Sequence, residues 1–442
     1  MQWLNRVMLR LLTGNILDRR SLVKTVKLRE IAELKTGPFG TQFSAKEYVS
    51  EGIPVINVKN IGYGNIISEG LVYVGTNTLE RLSEHKLKTG DIVFGRKGSV
   101  DRHCLITEKQ DGWMQGSDCI RVRLTDASVY PNFISYYLLT DVVKAKINNS
   151  AVGSTMASLN TDILGDIDIR LPNCEEQYKI ATALATIDQK IEANNKINDY
   201  LEEMTKTIYD YWFVQFDFPD ENGKPYKSSG GKMVWNDKLN LQIPNTWQST
   251  ELSSYGKIIS GGTPSTENED FYADNGIAWI TPNDLSNNTS NMFISHGERD
   301  ISVQGLNNSS AALIPSSSIL LSTRAPIGYI AVSMNELTTN QGFKTLVPND
   351  TDNTSFLYYL IKRNIPYLEQ MGTGTTFKEV SKDSMEHLTV ILPSNNILAH
   401  FFQKIKPYMM LRKSYEQETK KLISIRNWLL PIVMNGQATI KD

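Results

Sequence analysis

Two loops hold the residues best suited to chemistry. Lys35-Thr36-Gly37-Pro38-Phe39-Gly40-Thr41-Gln42 and Ser260-Gly261-Gly262-Thr263-Pro264-Ser265-Thr266 are rich in backbone donors and hydroxyls, groups that suit phosphate oxygens. Thr36 and Thr263 equally fit plain turn roles. Arg96-Lys97 and Thr323-Arg324 each follow a short apolar run, where a long cationic side chain can reach a guanine edge or stay solvated. Gln115 and Gln341 each precede a glycine and suit an adenine edge or a turn cap. Lys59 reads as a phosphate contact. Asn57, Lys344, Ser154, Thr155, Gly262, Thr281, Asn283, Thr375 and Thr376 complete the set of candidate nucleic-acid contacts.

Reactive constellations are missing by contrast. There is no GxxxxGK[ST] phosphate loop and no GxGxxG after a strand, so nucleotide cofactors lack their backbone cradles. No HExxH or Cys/His cluster has metal spacing, and His103-Cys104 with Cys119 reads as core and turn chemistry. Pro219-Asp220 followed by Lys224 is faintly similar to a nuclease carboxylate–lysine pattern, but it sits in a connecting segment without flanking strands. An Asn/Asp-Pro-Pro-aromatic segment of the adenine-methylating type is also absent. These features predict a chain that binds and does not catalyse, with no metal and no cofactor of its own.

The candidates fall on a repeat. Gly52 to Asn60 is echoed by Gly276 to Asp284, Leu87 to Arg96 by Ile314 to Arg324, and Gln115-Gly116 by Gln341-Gly342. Asn132 to Leu138 is echoed by Ser355 to Leu360, Gly153-Ser154-Thr155 by Gly374-Thr375-Thr376, and Leu171-Pro172 by Leu392-Pro393. The order is kept throughout, so the chain is a tandem duplication. Each half opens on a Leu-rich turn (Leu28 to Leu34; Leu252 to Ile259) and continues in short β-branched runs bounded by Gly, Asn and Pro. A Phe/Tyr/Leu helix follows (Phe133 to Leu139; Phe356 to Ile361), and each half is expected to be a compact α+β head.

After each Leu-Pro the period becomes helical. Ile180, Leu184, Ile187, Ile191, Asn194, Asn198, Leu201, Thr205 and Ile208 form one seam; Leu398, Phe401, Ile405, Tyr408, Arg412, Tyr415, Thr419 and Leu422 form another. Two long helices packed antiparallel satisfy both seams, and Asn194 and Asn198 either fix the register or lie at its tolerant edge. The expected fold is therefore α+β, two tandem-duplicated globular domains separated by two long antiparallel coiled-coil-like helices. The expected boundaries are an extension or helix at 1–27, a first head at 28–172, a helix at 173–216, a polar Pro/Gly/Ser linker at 217–250, a second head at 251–393 and a second helix at 394–432. Within 1–27, Trp3, Leu4, Val7, Met8, Leu11 and Leu12 alternate with arginines, which reads as a docked helix or extension rather than a transit peptide.

Composition sets the outer limits. The 442 residues carry a net charge of −2, with 40% hydrophobic and 21% charged, an ordinary globular profile without wholesale attraction to polyanions. Three cysteines without a CxxC pair suggest a reducing, cytoplasmic setting, and no apolar run approaches the roughly 20 residues of a membrane span.

The two heads, the Ser260 to Ser265 loop, the Phe-Asp-Phe-Pro…Gly-Lys-Pro-Tyr-Lys-Ser-Ser-Gly-Gly linker (from Phe216) and the Leu-Pro-helix junctions resemble the specificity subunit of type I restriction-modification systems. The resemblance covers Leu28 to about Gly436; in the first head, Lys35 to Gly40 departs from the Gly-Gly-Thr-Pro form. It implies two target-recognition domains, each reading half of a split double-stranded DNA site, with the helices as spacer and docking site for two modification subunits. It implies S-adenosylmethionine on those subunits, and ATP and Mg on restriction subunits. Rival readings are a helical adaptor that does not bind DNA and an enzyme of unknown type.

Overall fold

The computed structural model describes residues 23–38, 40–151, 157–372, 379–438 and 440. The chain divides into two compact units, residues 1–191 with 421–442, and residues 192–420. Each unit thus combines one head with part of each long helix.

In the first unit the β-branched runs become β1 (Lys24–Lys27), β2 (Ala32–Thr36), β3 (Tyr48–Val49), β4 (Ile53–Ile56), β5 (Tyr63–Gly64) and β6 (Val72–Val74). They continue as β7 (Ile92–Gly95), β8 (His103–Leu105), β9 (Met114–Gln115), β10 (Cys119–Leu124) and β11 (Asp168–Leu171). Two sheets have the orders β2-β10-β7-β8-β5 and β3-β6-β4-β9, and β1 pairs with β11. Helices α1 (Pro131–Leu138) and α2 (Asp141–Ser150) follow β10, with Pro131 at a position where its missing N–H costs no bond. Residues 24–27, expected in the extension, are therefore the first strand of the head. They pair with β11 because that strand's outer edge needs backbone partners. Residues 1–22, where an extension or docked helix is expected, lie outside the described residues.

Beyond the long helix α3 (Cys174–Tyr209), the hairpin β12 (Met233–Asn236) and β13 (Leu241–Pro244) precedes the second head. That head contains β14 (Gln248–Glu251), β15 (Gly256–Ser260), β16 (Tyr272–Ala273), β17 (Ile277–Ile280), β18 (Phe293–Ile294) and β19 (Arg299–Ile301). Next come β20 (Ile319–Ser322), β21 (Ile330–Ser333), β22 (Thr338–Thr339), β23 (Phe343–Pro348), α4 (Thr354–Met371), β24 (Thr389–Leu392) and the long helix α5 (Asn395–Met434). The sheet orders are β15-β23-β20-β21-β18 and β16-β19-β17-β22, with β14 on β24. Every strand of the first head has its counterpart thirteen strands later, down to the parallel pairs β4·β9 with β17·β22 and β5·β8 with β18·β21. The duplication read from six short matches is a duplication of topology.

The expected helices span 36 and 40 residues, about 54 and 60 Å. In the first unit Ile180, Ala181, Leu184 and Ile187 of α3 share a core with Leu422, Leu429, Val433 and Met434 of α5. In the second unit Asn194 donates to Glu418 at 2.8 Å, and Arg412 donates to Glu202. Rising numbers on α3 meet falling numbers on α5, so the pairing is antiparallel. Asn194 and Asn198 lie inside the seam, not at its edge. At its C-terminal end α3 widens into a π-turn, Asp210–Val214, which turns Trp212 and Phe213 into the second core.

The polar segment after it is folded rather than a loose linker. Asp217 accepts from the Ser228 amide at 2.7 Å and hydroxyl at 2.6 Å, and Phe218 stacks between Tyr226 and Trp247 at 4.8 and 5.0 Å. Three rings and a buried carboxylate order a stretch whose Gly, Pro and Ser content alone predicts flexibility.

Candidate nucleic-acid interface

Sheet register decides which candidates correspond. Ile56 faces Gln115 and Ile280 faces Thr339, so Gln115 corresponds to Thr339, not to Gln341. The Gln-Gly match is a two-residue slip, which leaves side chains on the same face and so escapes a pattern reading. Gln115 itself is buried, and its Nε2 donates to the carbonyls of Lys35 at 2.9 Å and Cys119 at 3.1 Å. It staples β2 to β10 and cannot read a base. Gln341 is exposed and accepts from the Thr263 hydroxyl, holding the second loop's tip.

The glycines of the two loops serve packing. A Cβ at Gly37 would lie 1.9 Å from the Gly116 carbonyl oxygen, and one at Gly261 2.0 Å from that of Asn340. A Cβ at Gly262 would meet Ala311 at 2.3 Å. Their amides are spent inside the heads: Gly37 on Cys119 at 2.8 Å, Gly262 on Thr339 at 2.8 Å. The amides of Gly37 and Gly262 are therefore not free to cradle a phosphate.

Asn57 and Thr281 are matched caps. Each ends its strand and opens a short helical turn, in a reciprocal box with Asn60 and Asp284 three residues on. That role accounts for their polar side chains. Two residues after each cap, Lys59 and Asn283, one on each head, are exposed. Thr36 ends β2 half-buried.

The pairs after β7 and β20 also correspond. The amides of Arg96 and Thr323 donate to Asp118 and Gly342 at 2.8 Å, and Lys97 and Arg324 bridge to Ser158 and Glu379. Thr323 is fully buried, its hydroxyl on the Gly342 carbonyl at 3.2 Å, so it positions the arginine and contacts nothing outside. Arg324 is half-exposed and its Nε donates to Glu379 at 3.0 Å; Lys97 lies 3.2 Å from Asp118. Lys344 is buried in β23, its Nζ 3.2 Å from the other oxygen of Glu379, which removes it as a DNA contact. Burial alone would raise the Glu379 carboxyl, but the hydrogen bonds from Arg324 and Lys344 outweigh it and hold the group below the usual range. Lys35 is bound to Glu84, whose carboxyl it lowers through that bond. Ser154, Thr155, Thr375 and Thr376 lie outside the described residues.

Three features escape the sequence pattern. Arg121 and Arg123 look like strand-edge cations but are structural: Arg121 donates to the Glu84 carbonyl at 2.7 Å and to Glu33 at 3.0 Å, and Arg123 grips Asp91 at 2.6 and 2.7 Å. Tyr63, half-exposed on β5, has Arg102 at 5.3 Å and Lys144 at 5.6 Å from its ring, an aromatic between cations of the kind that suits nucleic acid. These three residues come from β5, β8's approach and α2, so no local spacing announces them. Glu379 is likewise visible only once β20 and β23 bring two cations to it.

What remains at the surface is Lys59, Lys97 and Tyr63 with its cations on one head, and Asn283, Thr263, Gln341 and Arg324 on the other. These are groups for hydrogen bonds and phosphate contacts. Among the described residues no group of His, Cys, Asp or Glu can hold a metal ion. Cys104 and Cys119 are buried, with burial pushing the Cys104 thiol up to about 12. Asp220 caps the amides of Asn222 and Lys224 at 2.8 Å, a turn and not a nuclease centre.

A family model described as the type I restriction modification DNA specificity domain matches residues 21–203 and 244–409. The HindI specificity subunit, from a type I restriction enzyme of Haemophilus influenzae, is 25% identical over 437 residues, covering 86% of this chain and 94% of its own. The MjaIX specificity subunit of Methanocaldococcus jannaschii is 37% identical over 155 residues, 35% of each chain. A type I S subunit from M. genitalium shares the fold, with a TM-score of 0.59 at 14% identity over 94% of this chain and 97% of that one. The family model and these relatives define a DNA-specificity protein, a non-catalytic class. The chain belongs to the specificity subunits of type I restriction-modification systems.

Proposed function

We propose that this subunit reads a split double-stranded DNA site, one half-site per head, and directs methylation and restriction by partner subunits. The observation that carries the reading is the strand-for-strand repetition of the head, each copy on its own stretch of the antiparallel helices. Two like readers joined by a fixed helical spacer suit two short sequences separated by unread base pairs. Two modification subunits would supply S-adenosylmethionine and the methyl transfer, and restriction subunits ATP and Mg, while this chain holds none of them. The proposed setting is the cytoplasm; no described helix is long and apolar enough to cross a membrane.

Methylome sequencing of a strain carrying the system tests the reading, with a two-part methylated motif expected. A heptad inserted after Asn195, matched beside Glu418 which faces Asn194, lengthens the helices by about 10 Å. The motif should keep both halves and gain about one to three unread base pairs at about 3.4 Å each. A contiguous motif, or an unchanged gap in a folded and active variant, defeats the proposal.

A further inference from the structure

The second unit contains a buried ionic network that its packing does not require. Arg412 on α5 is 4% exposed and Glu416, one turn on, is 5% exposed. Arg412 Nε donates to Glu416 Oε1 at 2.9 Å, and its Nη1 donates to Glu202 of α3. Glu416 also accepts the amides of Met292 and Phe293, at the start of β18, each at 2.9 Å. Glu202 accepts from the Tyr359 hydroxyl at 3.0 Å and from Lys362 at 2.7 Å, both on α4. One network therefore ties both long helices to a sheet edge and a helix of the head.

A buried ion pair is a poor source of stability, because desolvation offsets most of the attraction, and apolar groups of like volume often do as well. Its bonds are directional, however. The Arg412 fork holds two carboxylates, and each carboxylate holds two groups of the head, so rotating the head on the helices breaks several charge-assisted bonds together. The first unit has a looser tie. Asp188 of α3 accepts from Tyr136 at 2.6 Å and from Arg426 at 2.9 Å, with the ion pair about one-third exposed.

We infer that Glu202, Arg412 and Glu416 are positioning residues that fix the second head's orientation on the helix pair, and through it the complex's discrimination between half-site gaps. The inference rests on the split-site reading. Its consequence is selectivity for gap length rather than for bases, since all three are committed to contacts inside the second unit.

The test uses the full chain assembled with its modification subunits and a set of duplexes with the native gap or a gap one base pair longer or shorter. The triple variant E202Q/R412M/E416Q removes the charges together and keeps side-chain volume. The ratio of methylation rates on native against altered gaps should fall by about tenfold or more, with the base preferences of both halves unchanged. If that variant fails to fold, Tyr359→Phe with Lys362→Gln removes the α4 ties alone and should shift the same ratio in the same direction. A folded variant with the wild-type ratio overturns the inference. A contiguous motif for the unmodified protein defeats the split-site reading instead, so the two failures are distinguishable.

Discussion

A fragment ending at Gly231 should be a dimer. It keeps the first head and α3 but loses α5, stripping Ile180, Leu184 and Ile187 of Leu422, Leu429 and Val433. Its Tyr209, Trp212 and Phe213 lose the second head's core at the same time. The repeat dictates the remedy. β11 and α3 begin 221 residues before β24 and α5, so a second copy of α3 can occupy the place of α5. Mapped onto that place, the contacts Asn194–Glu418 and Asp188–Arg426 become Asn194 against Ile197 and Asp188 against Thr205 of the second copy, which together centre the pairing near Lys196. Ile187 then meets Thr205, Ile191 meets Leu201 and Leu184 meets Ile208, an isologous seam with its axis near Lys196. Each copy re-buries about six apolar side chains at about 1.5–3 kcal/mol apiece. Association and side-chain ordering take back about 4–15 kcal/mol or more; the middle of both ranges leaves a dimer tighter than about 1 µM, or about −8 kcal/mol. Light scattering from 0.1 to 50 µM reads the mass. With modification subunits added, methylome sequencing should show a palindromic split motif built from the first half-site. A well-folded monomer at the highest concentration refutes the seam argument, and a non-palindromic motif refutes the assignment of one half-site to each head.

Further expectations concern single residues. Arg324→Ala should cost about 1–3 kcal/mol at a specific site and relax one base position of the second half-site, whereas Lys59→Ala should weaken binding to all sequences and flatten the salt dependence by about one phosphate; filter binding across salt and sequence variants separates them. Gln115→Leu should cost about 1–3 kcal/mol in denaturant unfolding by removing its two buried hydrogen bonds to the Lys35 and Cys119 carbonyls, with an unchanged motif; a shifted motif would restore Gln115 as a reader. His103, fully buried against Ser135 at 3.0 Å, is held neutral by burial down to about pH 4, while the unfolded chain takes up its proton near 6.5. The unfolded state therefore binds more protons between those values. The first head's stability should be full above about pH 6.5 and lower by about 2 kcal/mol at pH 5, a loss that His103→Gln removes in urea titrations.

The fold was legible because a duplicated chain states its pattern twice. Leu171-Pro172 and Leu392-Pro393 mark the start of each long helix within three residues, and the heptad seams predict burial at Ile180, Leu184, Asn194 and Asn198. The interface was less legible, since hydrogen-bonding side chains look alike whether they face solvent or brace a sheet. Gln115 and Lys344 sit on strands, and Thr323 directly follows one, whose partners, not whose own neighbours, decide the face they present. Asn57 and Thr281 carried a local signal, a polar residue three positions before another, and capping explains both. Arg412 stood in the seam as an apparent exception; its carboxylate partners come from α3 and one turn on in α5, so only the folded chain explains it.

The two heads differ in charge in a way that topology hides. Residues 28–172 carry sixteen Lys and Arg against seventeen Asp and Glu, whereas residues 251–393 carry eight against fifteen. Several of those eight are already committed: Arg324 and Lys344 to Glu379, Lys362 to Glu202, Lys382 to Glu386, and Arg299 stacked on Tyr272 at 4.1 Å. A head with that balance repels a polyanion at long range, so on the split-site proposal it holds its half-site through short-range hydrogen bonds, for which Asn283, Thr263 and Gln341 are the candidates. Each phosphate neutralised contributes about 0.9 to the slope of log K against log salt, while neutral hydrogen bonds contribute almost nothing. Scrambling the first half-site should therefore flatten the salt dependence of the assembled complex more than scrambling the second, by about 1.8 if two more phosphates are engaged by the first head. The modification subunits are the same in both measurements, so their own contribution cancels in the comparison. Equal flattening would show that the acidic balance of the second head lies away from the DNA.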